Sequence, residues 1–155
     1  MIRGRSEEEV KMSVKQISIF LENKPGTLNE LTDILASNNL DIRALSLSET
    51  EGFGILRIIV DDVVETCSVL KDAGYVCKIT PVVIAMIPDE TGGLNRVLSI
   101  LKDANVNVRY MYASLGGKGL HRALMIFKVD NETLAETSLR EAGISLIEQT
   151  DVDTI

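Results

Sequence analysis

The sequence predicts an α+β protein built from two copies of one βαββαβ unit, and three observations carry that prediction. The first is an internal repeat. Residues 17–48 align without a gap on residues 83–114, so that Gly26, Leu28, Asn29, Ile34, Asn39 and Arg43 are answered 66 positions later by Gly92, Leu94, Asn95, Ile100, Asn105 and Arg109. After a three-residue insertion the register resumes at 69, pairing Val60-Asp61 with Val129-Asp130 and LKDAG with LREAG. The second is that the apolar period switches between two and 3.6 in the same order in both copies. The third is size: in a chain of 155 residues each copy has roughly 70, near the lower limit for an independent core.

In the first copy Ile17, Ile19 and Leu21 alternate with Ser18, Phe20 and Glu22, the pattern of a strand. Lys24-Pro25-Gly26 breaks it, and Leu28, Leu31, Ile34 and Leu35 recur at helical spacing, with Thr27 or a neighbour available as the cap. Asn38-Asn39 ends the helix, residues 42–48 form a second strand, and Glu51-Gly52 turns it into a third, GILRIIV, rich in β-branched residues. Val63, Thr66, Cys67 and Leu70 line a second helix that stops at Gly74, and residues 76–80 form the fourth strand. The second copy repeats the order with strands at 82–87, 107–115, 121–130 and 144–149 and helices at 92–104 and 131–142. This is the split βαβ, ferredoxin-like arrangement, with helices on one face of an antiparallel sheet. Only Pro81 separates the copies, so they are expected side by side in one continuous eight-stranded sheet with four helices on one face. The expected organisation is a flexible tail (1–13), two domains (14–80 and 81–150) and a C-terminal tail (151–155).

The net charge of −7 argues against a nucleic-acid partner, which needs a basic face. Aromatics at 4% with no Trp leave little to stack bases on. Cys67 and Cys77 show no metal-type spacing and fit a reduced, cytoplasmic protein. A single histidine, His121, gives no zinc set, no apolar run has transmembrane length, and the N-terminus lacks a signal-peptide core. No metal, cofactor or membrane partner is expected.

The turn from Glu22 to Leu28 is the most suggestive segment. Pro25 presets the chain, Gly26 allows close approach of a ligand, and the following helix presents unpaired N–H groups suited to a carboxylate or phosphate. Gly116-Gly117-Lys118-Gly119 reads as a hairpin tip rather than a phosphate cradle, and His121 beside it as a rim residue. Arg43 and Arg109 read as solvated or salt-bridged strand residues, with contact to a ligand carboxylate as the alternative. Tyr110 and Tyr112 share one face and read as packing residues, and Asn131-Glu132-Thr133 is a glycosylation sequon in form only.

Asn23-x-Pro25-Gly26-Thr27-Leu28 followed by Asn39-Leu40-Asp41-Ile42 resembles the opening of an ACT domain, the small regulatory module of amino-acid-controlled enzymes. The match covers residues 14–80. The second copy departs from it at Asp89-Glu90-Thr91-Gly92-Gly93-Leu94, which lacks the proline, but keeps Asn105-Val106-Asn107-Val108. The resemblance implies a tandem ACT protein that binds a free amino acid at the interface between its units and has no catalytic residues. It also implies a homodimer and a regulated enzyme or protein partner. The site residues it implies are Asn23, Pro25, Gly26, Thr27, Leu28, Asp41, Asp89, Gly92, Gly93 and Asn107. N–H groups at Gly26, Thr27 and Leu28 are expected to hold the carboxylate. Of two possible combinations, Asn23 with Asn107 suits a zwitterion, whereas Asp41 with Asp89 brings like charges together and is expected to be empty or cation-dependent.

Three other classes compete. An acylphosphatase-type enzyme would need a turn arginine, and Lys24 lacks its planar fork. A ferredoxin-like RNA or metal binder fails on charge, aromatics and the missing Cys-x-x-Cys. A ligand-free oligomerisation module is the remaining rival.

Overall fold

Alternation sets Ile17, Ile19 and Leu21 on one face of β1 (Val14–Glu22), where all three are buried. α1 (Thr27–Ser37) lays Leu31 and Leu35 on that face. β2 (Ile42–Thr50) and β3 (Phe53–Val60) form a hairpin, and β3 pairs antiparallel with β1 on its other side. Leu56, Ile58 and Val60 join the cluster from β3, and α2 (Val63–Asp72) closes it with Val63, Cys67 and Leu70. The computed structural model describes residues 13–114 and 122–155. Gly116–Gly119 and His121 lie outside them.

The second unit is built in the same way. β4 (Val76–Pro88) pairs antiparallel with β6 (Arg122–Val129) and with β7 (Ser145–Ile147), and β6 also pairs with β5 (Val108–Ala113). α3 (Gly93–Asp103) and α4 (Glu132–Glu141) cover one face, burying Val97, Leu101, Ala135 and Leu139 against Val83, Ala85, Ile87, Phe127 and Val129. The chain divides into two compact units, one Lys15–Thr80 and the other containing Pro81–Ile155. Each has an antiparallel sheet and two helices, the ferredoxin-like repeat expected from the sequence.

Two boundaries differ from expectation. The strands expected at 76–80 and 82–87 are one strand of 13 residues, so the described residues hold seven strands rather than eight. Pro81 does not interrupt it because the fixed φ of proline is compatible with extended backbone. The last strand is short, three residues, and is followed by a 3₁₀ helix, Gln149–Thr154, whose Val152 is fully buried. No helix among the described residues is long and apolar enough to cross a membrane.

The four α-helices of the described residues end alike. The N–H of Leu40, Tyr75, Val106 or Ile144 reaches back to the carbonyl of Leu35, Leu70, Leu101 or Leu139 at 2.9–3.0 Å. The residue before it, Asn39, Gly74, Asn105 or Gly143, is left-handed. This closure satisfies orphan carbonyls and tucks an apolar residue back towards the core. The helix starts are not alike. Asp62 and Asn131 cap α2 and α4 by accepting from the N–H of Glu65 (2.9 Å) and Leu134 (3.0 Å), which gives the sequon asparagine a structural role. α1 and α3 have glycine N-caps and no side-chain cap; of the expected candidates, Thr27 or a neighbour, it is the neighbour Gly26 that caps α1.

Candidate functional site

The uncapped starts of α1 and α3 follow the two strand-to-helix turns. In the first turn Lys24 N–H donates to the Glu22 carbonyl (3.1 Å), Thr27 N–H to Lys24 (3.4 Å) and Glu30 N–H to Gly26 (2.9 Å). In the second, Glu90 donates to Pro88 (2.9 Å), Gly93 to Glu90 (3.1 Å) and Arg96 to Gly92 (3.0 Å). The three bonds recur 66 residues apart, and the glycine N-caps match, with φ 87° at Gly26 and 88° at Gly92. Proline is therefore not what sets the turn. The left-handed glycine that both copies share sets it.

One expectation for this turn is corrected. The Thr27 N–H is engaged inside the turn and is not open to a ligand. The N–H groups of Gly26, Leu28 and Asn29 find no acceptor among the described residues, so the start of α1 keeps its partial positive charge. Asn23 donates its own N–H to the Gly52 carbonyl (3.2 Å), which ties the turn to the β2–β3 hairpin and leaves the side chain exposed. Pro25 is exposed, and the Leu28 side chain packs on the core.

Beside this turn lies a cleft of about 250 Å³. Its apolar wall is Phe20, Leu21, Tyr75 and Val76, and its polar rim is Glu22, Lys24, Thr27 and Glu30. Thr27 Oγ1 is shielded from solvent and has no hydrogen-bond partner among the described residues. Lys24 and Glu22 form an ion pair of 3.0 Å, but at 65% and 70% side-chain exposure it adds little stability and is free to open. The hydrogen bond and charge of Glu22 push the Lys24 pKa up, with a smaller push from Glu30. Burial, then Glu30, pushes up that of Tyr75. Sequence reading missed Phe20, Glu30 and Tyr75. Glu30 was findable, since it stands four residues after the N-cap and so faces the turn.

The equivalent cleft of the second unit, about 180 Å³, is lined by Met86, Pro88, Arg96, Arg122, Gly143, Ile144 and Ser145. Gly93, at the start of α3, is buried, and a Cβ on it would stand 2.4 Å from the Pro88 carbonyl oxygen. Gly92 caps α3, and Asp89 is exposed on the turn.

The remaining sequence candidates lie on the strands. Arg43 grips Asp61 with two bonds of 2.8 Å and approaches Asp41 at 3.5 Å, so Asp41 and Arg43 share an ion-pair group within the first unit. In the second unit Asp130 instead accepts from the Asn107 N–H (3.0 Å) and returns its own N–H to the Asn107 carbonyl (3.1 Å), while Arg109 is exposed. Tyr110 and Tyr112 are half-buried opposite Lys128 and Ile126. Among the described residues no group of three or more His, Cys, Asp or Glu could hold a metal ion.

The family profile described as an ACT domain pair matches residues 12–155. The chain belongs to that family. The ACT pair is similar to a protein of solved structure from Bacteroides thetaiotaomicron, at 35% identity and a TM-score of 0.87, over 94% of this chain and 99% of that one. It shares its fold with the ligand-free regulatory subunit of aspartate kinase from Thermus thermophilus, at 12% identity and a TM-score of 0.62 over 84% and 93% of the two chains. The corresponding subunit from Thermus flavus aligns at 9% identity and a TM-score of 0.59, over 85% and 94%. No curated protein sequence matches the ACT pair.

Proposed function

We propose that this ACT pair is a non-catalytic amino-acid sensor whose first strand-to-helix turn holds the ligand. The observation that carries the reading is the uncapped start of α1 beside a cleft that offers both a shielded, unpartnered Thr27 hydroxyl and the carboxylates of Glu22 and Glu30. The α-carboxylate meets the open N–H groups of Gly26 and Leu28 and the Thr27 hydroxyl. The ammonium group is held by Glu30 or Glu22, with Asn23 orienting either end by hydrogen bonds. The ligand side chain lies on Phe20, Tyr75 and Val76. Binding alters contacts of the chain with a second copy or with a regulated enzyme, and the two free thiols, Cys67 and Cys77, suit a reduced cytoplasmic setting.

Isothermal titration of the full chain with each of the twenty amino acids tests this. The expected result is saturable binding of one amino acid per chain, weakened about tenfold or more in Asn23→Ala through loss of a charge-assisted hydrogen bond. Asn107→Ala reports whether the second unit contributes, as the family resemblance implies. Absence of binding by all twenty would leave the oligomerisation module as the better reading.

A further inference from the structure

We propose that the cleft of the second unit binds a small oxygen dianion, a phosphate monoester or a dicarboxylate, at a site distinct from that for the amino acid. The two guanidinium groups that line it, Arg96 and Arg122, stand in a protein of net charge −7 without a carboxylate partner among the described residues. Among the described residues the Arg96 side chain donates only to the Ala142 carbonyl, at 3.3 Å, and that of Arg122 only to the Met86 sulfur, at 3.1 Å. The acidic residues of the turn, Asp89 and Glu90, are exposed and do not line the cleft.

The placement of Arg96 runs against local electrostatics. α1, α2 and α4 each carry a glutamate in the first turn (Glu30, Glu65 and Glu132), where it complements the helix dipole. α3 carries none, has no side-chain cap, and puts Arg96 four residues after its N-cap, at the position where α1 has Glu30. Two positive side chains, Arg96 and Arg122, therefore meet at one concave surface. Their mutual repulsion is relieved when an anion sits between them. Arginine forks suit planar carboxylate and tetrahedral phosphate oxygens, and two of them match a dianion better than a monoanion. The remaining wall, Gly143, Ile144 and Ser145, is small and carries no negative side chain, and the Ser145 hydroxyl is one further donor.

The test is amide-resolved titration of the full chain, with inorganic phosphate in one arm and succinate in the other, at constant ionic strength. Saturable shifts at Arg96, Gly143 and Ser145 in either arm support the site, and the stronger arm names the ligand class. Arg122→Gln and Arg96→Gln should each weaken that binding about tenfold. Arg122 is exposed and makes only a thioether contact, so Arg122→Gln keeps the test sound if Arg96→Gln loosens the end of α4. Glu30→Gln should leave it unchanged. Shifts that never saturate in both arms, or saturable shifts that persist at full strength in Arg122→Gln, would overturn the proposal. The amino-acid reading is independent, since its residues all lie in the first unit.

Discussion

Two clefts of one ancestral design sit at equivalent places in the two units, and they have diverged in charge while keeping their backbone. The turn hydrogen bonds, the left-handed N-cap and the closed end of the opposite helix superimpose by number, 66 or 69 residues apart. The side chains do not correspond: Glu30 becomes Arg96, Phe53 becomes Arg122, Tyr75 becomes Ile144 and Thr27 becomes Gly93. The lesson is that a few glycines and main-chain bonds preserve the scaffold, which frees the residues facing the cleft to specify different ligands.

The largest effect that sharpens this comparison concerns Gly93. A methyl group there meets the Pro88 carbonyl, which is backbone and cannot swing aside. Gly93→Ala should cost about 1–3 kcal/mol in chemical denaturation, as overpacking does. Thr27→Ala at the equivalent position should cost well under that. Equal costs would mean that the two turns are not distinguished by the close approach of strand and helix.

Next comes Glu30. If it holds the ligand ammonium, Glu30→Gln should weaken amino-acid binding about tenfold, the typical loss of one hydrogen bond to a charged group. Arg96→Gln should leave amino-acid binding unaltered. A reversal of these two results would move the amino acid to the other cleft.

A smaller effect separates the helices behind the clefts. Thr66 in α2 is fully buried with a hydroxyl that has no partner among the described residues, whereas the second unit has Ala135 there. Thr66→Val keeps the shape and removes the stranded polar group, and should raise stability by about 1 kcal/mol, read from the denaturation midpoint. A destabilised variant would show that the hydroxyl has a partner in solution.

The smallest effect is one of pH. Cys67 and Cys77, both in the first unit, are pushed above the ordinary thiol pKa by burial. The unfolded thiols ionise first as pH rises. Their contribution to stability is therefore complete below the ordinary thiol pKa and is lost progressively above it. Alkylation of the native protein should be slow at neutral pH compared with a free thiol. Fast alkylation at neutral pH would contradict the burial.

Much of this architecture was legible because the repeat shows every element twice. The alternation at Ile17, Ile19 and Leu21, the helical spacing at Leu31 and Leu35, and the stop at Gly74 all correspond to observed elements. Pro81 misled because a proline that breaks a helix does not break an extended strand. Pro25 matters less to the turn than its rigidity suggests, since the conformation depends on Gly26. The clefts were only half legible. Thr27 could be read from the turn, but Tyr75 reaches the cleft only because the end of α2 folds back beside it, a contact between residues far apart in sequence. The reversal from Glu30 to Arg96 was visible in the aligned copies as Leu-Asn-Glu against Leu-Asn-Arg. Its meaning depended on the closeness of Arg122, which the chain reaches a strand later.

The central claim, an amino acid held at the first turn, is tested most directly by mapping the tightest-binding amino acid onto backbone amides of the full chain. The account predicts saturable shifts at Gly26, Leu28 and Tyr75, with Gly92, Leu94 and Ile144 unmoved. Shifts confined to Gly92, Leu94 and Ile144, or no saturable shift in either set, would contradict it.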